Sequence, residues 1–278
     1  MGNIISGGSG KTPTVIALRH LLKEYERVYF LTRGYGGRFR GPLAVSLEEH
    51  YASDVGDEPL ILAKHGATFI AKNRYQGALA IQKKQDADLI IMDDGFQNPT
   101  LKKNLSFIVF NGQQGIGNSA VYPAGPLRES LESGMQRAHA VIFYGSDKQG
   151  ILPILEKFNK PIFKAAFVPD KRDIDDLFNL RVLAFSGLGY PEKFYHMLTS
   201  YDIEVVHTKS FPDHYAFTYA DVMHLIKKAK KYGSQLVTTE KDFNRLPYDL
   251  RNHIKVVKIA AEFEKPVEIH HFIKGFIE

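Results

Sequence analysis

The stretch "SGGSGKT", residues 6–12, has residue types suited to gripping a polyphosphate. Gly7, Gly8, Ser9 and Gly10 let backbone N–H groups turn inward toward phosphate oxygens. Lys11 is long enough to reach the outer phosphates, and the Thr12 hydroxyl can ligate Mg²⁺. The full pattern G-x-x-x-x-G-K-[ST] is broken at its first position, where Ile5 stands in place of glycine. A second stretch, "LIIMDDGFQ" at 89–97, ends an apolar run in two carboxylates, Asp93 and Asp94. At the end of a buried strand such a pair can complete a Mg²⁺ shell opposite the glycine loop. The same Asp-Asp-Gly can also serve as a plain turn cap.

These residues need a parallel sheet to position them. Apolar, β-rich runs alternate with helical patterns along the chain: 27–31, 67–71, 89–94, 107–110 and 140–144, then 162–167, 181–186, 203–208, 235–239 and 255–259. This is the signature of βαβ units. The fold class expected is α/β, with two P-loop-NTPase-like α/β domains and mostly parallel sheets. The first domain is expected over 1–150 with the nucleotide site, and the second over 151–278, closing over that site. The helix after the glycine loop accommodates Pro13 in its first turn and turns Ile16, Leu18, Leu21 and Leu22 toward a core. A phosphate loop usually hangs from a buried strand, yet only five residues precede this one.

The chain has 278 residues, 44% hydrophobic and 24% charged, enough for a sizeable core. It has no cysteine, which excludes a disulfide framework, a thiolate metal site and a cysteine nucleophile. No apolar run reaches the ~18 residues of a membrane span. The net charge of +5 suits anionic ligands. Arg33, Arg38 and Arg40 cluster in "TRGYGGRFRG", while "KKAKK" at 227–231 reads as the solvated face of a helix whose other face carries Val222, Leu225, Ile226 and Ala229.

Eight segments in order, "GNIISGGSGKTP", "LTRGYGG", "VGDEP", "DDGFQ", "GNSAVYPAGPLRE", "FSGLGYPEKF", "FPDHYAF" and "TTEKD", resemble the tetraacyldisaccharide 4'-kinases, enzymes that phosphorylate the lipid A precursor. The resemblance implies transfer of the γ-phosphate of ATP, with Mg²⁺, to the 4'-hydroxyl of a tetraacyldisaccharide 1-phosphate. That family also lacks the first loop glycine. By the same resemblance Asp57 of "VGDEP" is the base, paired with His214 of "FPDHY" across an interdomain cleft. Lys11 and Thr12 contact phosphate and metal. Asp93, Asp94 and Gln97 face the metal, and Arg128 and Glu129 of "PAGPLRE" are an active-site arginine and acid. Arg33 and Tyr35 belong to a loop near the site. Read as residues alone, Asp57 is also a good helix N-cap, and Arg128 with Glu129 an ordinary surface pair.

The implied partners are a glycolipid and the cytoplasmic face of the inner membrane, touched peripherally by a cytoplasmic protein. No nucleic acid is implied. Two departures stand out. The family usually has histidine after "DDGFQ" where this chain has Asn98, and family members generally begin with several dozen more residues that include an apolar or amphipathic helix. A P-loop kinase for a soluble metabolite, and a nucleotide-dependent switch, share the glycine loop and the carboxylate pair.

Overall fold

The runs at 28–32, 107–111 and 140–144 are buried at every position, as strands of a parallel sheet covered on both faces are. In the computed structural model, which describes residues 1–5, 10–85, 87–213 and 215–277 (84 and 85 by backbone alone), the first part of the chain runs α1 (Lys11–Leu21), β1 (Val28–Thr32), β2 (Leu43–Ala44), α2 (Ala52–Val55), α3 (Asp57–Ala63), β3 (Thr68–Ile70), α4 (Arg74–Gln85) and β4 (Leu89–Met92). There follow β5 (Phe107–Asn111), α5 (Leu131–Arg137), β6 (Ala140–Tyr144), α6 (Leu152–Glu156), β7 (Ile162–Pro169), α7 (Lys171–Asp175), β8 (Arg181–Ser186) and α8 (Glu192–Ser200). The last part comprises β9 (Glu204–Ser210), α9 (Tyr219–Lys231), β10 (Gln235–Thr239), α10 (Glu240–Phe243), β11 (Ile254–Val257), β12 (Ile259–Phe263) and α11 (Pro266–Lys274).

The chain divides into two compact units, Met1–Phe167 with Ala260–Glu278, and Val168–Ile259. The expectation from sequence put one division at 150/151. The difference comes from β7 and the C-terminus. β7 pairs in parallel with β6 from Val141 opposite Ile162 onward, and α11 buries Ile269 and Ile273 in the first unit's core. Both segments are therefore part of the first unit.

The first unit has two four-stranded sheets, ordered β2-β3-β1-β4 and β12-β7-β6-β5. Pairings β1–β3, β1–β4, β5–β6 and β6–β7 are parallel, and β2–β3 is antiparallel. Residues 1–5 run between the sheets. Gly2 bridges Ile108 in parallel, the Gly2 N–H donates to Phe107 O, and the Gly95 N–H after β4 donates to Met1 O. The glycine loop thus does follow a short extended segment, with Ile4 and Ile5 wholly buried. Leu18 and Leu22 are buried in the main core, and Ile16 and Leu21 pack against it.

The second unit is a parallel sheet ordered β11-β10-β8-β9. On α9 the buried residues are Val222, Leu225, Ile226 and Ala229, the predicted apolar stripe, which leaves the lysines of "KKAKK" on the other side. Thr218 and Asp221 close a reciprocal capping box at its start, worth about 1 kcal/mol. Among the described residues no helix is long and apolar enough to cross a membrane.

Candidate active site

β4 ends at Met92 and the chain turns at once, with Asp94 at φ 49. A short polar side chain tolerates this left-handed conformation better than most. The turn sets the two carboxylates on different partners. Asp93 is buried and accepts a hydrogen bond from the Thr12 hydroxyl at 2.8 Å. Asp94 is half exposed, accepts from Arg128 Nη1 at 2.9 and 3.1 Å, and lies 3.7 Å from Lys11 Nζ. Lys11 and Thr12 open α1 directly after Gly10, whose φ of 83 turns the chain from loop into helix. Five of the sequence-expected residues, Lys11, Thr12, Asp93, Asp94 and Arg128, from three distant segments therefore meet in one place.

The other Asp93 oxygen, Oδ1, is buried and has no hydrogen-bond partner among the described residues. Burial pushes the Asp93 carboxyl up to about 6, with the nearby Glu58 and Asp94 charges adding to the rise, against the Thr12 hydrogen bond and Lys11. A carboxylate oxygen left bare among anions is suited to a cation. Mg²⁺ commonly takes one or two carboxylates, a hydroxyl and phosphate oxygens, keeping waters for the rest. Thr12 and Asp93 fit such an ion, with Asp94 beside them. Among the described residues no three His, Asp or Glu side chains form a group that could hold a metal ion.

Gln97 and Glu129 are engaged with each other and with the scaffold. Gln97 Nε2 donates to Asn3 O at 2.8 Å and to Glu129 Oε1 at 2.9 Å. Arg137 pairs with Glu129 and lies over the Phe96 ring. The Arg128 N–H donates to Ile4 O at 2.7 Å, tying "PAGPLRE" to the segment leading into the glycine loop. Arg128 and Glu129 are not a pair with one another: the first turns to Asp94, the second to Gln97 and Arg137.

Asp57 is buried at the first position of α3, behind Gly56, which is the cap residue at φ 92. It is not itself the N-cap. Its turn is shaped by "RGYGGRFRG": the Arg38 N–H donates to Ser53 O and the Phe39 N–H to Asp54 O, and Arg38 pairs with Asp54 at 2.8 Å. A Cβ on Gly37 would lie 2.5 Å from the Val55 carbonyl carbon, and one on Gly56 would lie 2.3 Å from Tyr35 O. Only glycine allows this approach. Gly7, Gly8, Ser9 and His214 lie outside the described residues.

Sequence reading missed Arg74. Its guanidinium is buried at the start of α4, donates to Ala71 O at 2.6 Å, and lies close enough to feel Arg33, Asp93 and Asp94. Burial and Arg33 lower its pKa, and the two aspartates oppose this. A basic residue inside "AKNRYQG" gives no motif to find it by. Asn98, which departs from the family pattern, caps its own turn, with Oδ1 accepting from the Thr100 N–H and hydroxyl.

In the second unit "FSGLG" and "TTEKD" meet. Asp242 is wholly buried, accepting from Ser186 Oγ at 2.9 Å, Thr239 Oγ1 at 2.8 Å, the Gly187 N–H at 3.1 Å and Arg245. Burial raises its pKa. The network joins the carboxyl ends of β8 and β10, where the strand order reverses, the position at which open α/β sheets place ligands. Of the aromatics in "FPDHYAFTY", Phe211, Tyr215 and Phe217 pack in the core and Tyr219 is exposed.

The family model described as Tetraacyldisaccharide-1-P 4'-kinase, LpxK, matches residues 1–278. A tetraacyldisaccharide 4'-kinase of Bradyrhizobium diazoefficiens is 42% identical over 282 residues, spanning 100% of this chain and 83% of the relative. One from Rhodospirillum centenum is 41% identical, spanning 96% of this chain and 79% of its own length. A crystal structure of LpxK from Aquifex aeolicus in complex with ATP is similar with a TM-score of 0.78 at 30% identity, covering 100% of this chain and 87% of that one. The chain belongs to the tetraacyldisaccharide 4'-kinase family.

Proposed function

We propose that this chain performs the family reaction with the residues gathered at the ends of β4 and α1: the γ-phosphate of ATP passes to the 4'-hydroxyl of a tetraacyldisaccharide 1-phosphate. The observation that carries this is the convergence of Lys11, Thr12 and Arg128 on Asp93 and Asp94. Lys11 and the backbone of Gly7 to Thr12 bind the phosphates. Thr12 and Asp93 hold Mg²⁺, which when bound offsets phosphoryl charge, with Asp94 beside it and Gln97 and Glu129 orienting that side of the turn. Arg128 is suited to forked contact with a phosphate oxygen once ATP competes for it.

Asp57 accepts the proton of the acceptor hydroxyl, held by the Gly56 turn. His214 enters as its partner on the resemblance of "FPDHY" alone, and the second unit as the part that closes on the nucleotide. Catalysis of this kind is mainly positioning and charge stabilisation.

A substrate with four acyl chains is met at a lipid surface. The segment 33–40 supplies Arg33, Arg38 and Arg40 beside exposed Tyr35 and Phe39, with Arg38 over the Phe39 ring. Basic residues near anionic headgroups contribute ~1 kcal/mol each, which favours peripheral, salt-sensitive contact with the inner membrane's cytoplasmic face. The test separates binding from turnover. Lys11→Ala is expected to lose ATP binding, and Asp57→Ala to keep ATP binding while losing turnover. An Asp57→Ala protein with wild-type turnover would remove Asp57 from this role.

A further inference from the structure

Among the described residues no side chain caps the start of α1, and Gly10 occupies the cap position at φ 83. What holds it comes from two other strands. The Thr14 hydroxyl donates to Gly10 O at 2.7 Å and lies 2.7 Å from the Tyr144 hydroxyl at the end of β6. With the Thr14 proton spent on Gly10, Tyr144 is the donor of the second bond. The Tyr144 ring in turn lies flat on Phe167 of β7, with centroids 3.9 Å apart and planes 4° apart. Phe167 reaches back to the start of the chain of contacts. A Cβ built on Gly10 would sit 1.9 Å from Phe167 Cζ, so the ring tip occupies the place a side chain would take.

We propose that Phe167, stacked on Tyr144, is a positioning residue for the phosphate loop: its ring and the Tyr144–Thr14–Gly10 bonds together fix Gly10 in its left-handed conformation and so aim Lys11 and Thr12. This rests on the reading that the loop binds ATP. Tyr144 is a core residue, whereas Phe167 is only partly buried, so the support can be trimmed at Phe167 without emptying the core. Phe167 also ends the first unit, and its strand continues through Val168 and Pro169. Loop geometry and the crossing strand therefore share one side chain.

The experiment is calorimetric titration of the full chain with ATP and Mg²⁺, alongside KM for ATP, KM for the acceptor and the thermal midpoint. Phe167→Ala is expected to weaken ATP binding by roughly tenfold, within the range that loop misplacement produces, and to raise KM for ATP while KM for the acceptor stays unchanged. Phe167→Tyr, whose hydroxyl on Cζ would run into Gly10, is expected to weaken ATP binding as well, and Tyr144→Phe, which removes only the hydroxyl, gives an intermediate loss. Wild-type ATP affinity in a folded Phe167→Ala protein overturns the proposal. If Phe167→Ala fails to fold, Phe167→Leu and Tyr144→Phe decide, and wild-type affinity in both overturns it. A wild-type protein that binds no ATP defeats the reading beneath and this inference with it. ATP binding lost in Lys11→Ala but intact in Phe167→Ala defeats this inference alone.

Discussion

Thr12 and Asp93 are 81 positions apart in the chain and joined by a 2.8 Å hydrogen bond from the Thr12 hydroxyl to Asp93 Oδ2. The bond ties the first turn of α1 to the end of β4 and leaves Asp93 Oδ1 buried without a partner among the described residues. An unpaired buried carboxylate oxygen is costly, and it is retained beside Lys11 and Arg128 at the place where nucleotide and metal are expected. The arrangement trades stability of the empty protein for readiness to bind.

Asp93→Asn keeps an oxygen for Thr12 and removes the charge. Phosphoryl transfer is expected to fall by about a hundredfold or more, the scale of removing a preorganised electrostatic contact, while the thermal midpoint of the nucleotide-free protein stays equal or rises. Kinetics and a melting curve on the same preparation check this.

The same carboxyl gives a pH dependence. Its folded-state pKa is raised from 3.8 to about 6, so the folded chain holds the proton where the unfolded chain has lost it. Stability from this group is therefore present at the acid end and falls as pH rises through that window. Relative to Asp93→Asn, the nucleotide-free wild type is expected to lose about 3 kcal/mol across it, converting the shift at about 1.4 kcal/mol per unit. Denaturant unfolding of both proteins at several pH values measures the difference.

Gly37→Ala tests the loop that shapes the Asp57 turn. With the Val55 carbonyl carbon 2.5 Å from the added methyl, the "RGYGG" segment must lift from Gly56. The expected outcome is a drop in kcat of about tenfold or more, as for other small misplacements near a reacting group, with ATP affinity retained. Steady-state kinetics and ATP titration separate the two.

Arg74→Lys is not conservative here. The buried guanidinium donates to Ala71 O at 2.6 Å and to Lys72 O, both from Nη1, and a lysine side chain, one bond shorter, falls short of the two carbonyls. A loss of about 2 kcal/mol of stability is expected, from hydrogen bonds to a charged group given up in a buried place. Chemical denaturation of the variant provides the number.

Strands, and the meeting of Lys11 and Thr12 with the carboxylates after β4, were legible because they rest on local patterns. β6, β8 and β10 occupy the predicted positions residue for residue, and Lys11, Thr12, Asp93 and Asp94 declare themselves by type and spacing. The division of the chain was not legible. β12 and α11 return to the first unit through pairing and burial that involve partners far away in the chain. Arg74 was hidden for the same reason, since its significance comes from burial near Asp93 rather than from its neighbours in sequence. The apolar stripe of α9 shows the opposite case: Val222 to Ala229 could be read directly, because helical periodicity is contained within the helix.

The most direct measurement is transfer of labelled γ-phosphate from ATP to tetraacyldisaccharide 1-phosphate in mixed micelles, with the product's phosphate located by mass spectrometry. The expected result is a label on the 4' position that depends on Mg²⁺ and disappears in Lys11→Ala. A folded protein that makes no labelled lipid, or a Lys11→Ala protein that makes as much as wild type, would contradict the assignment.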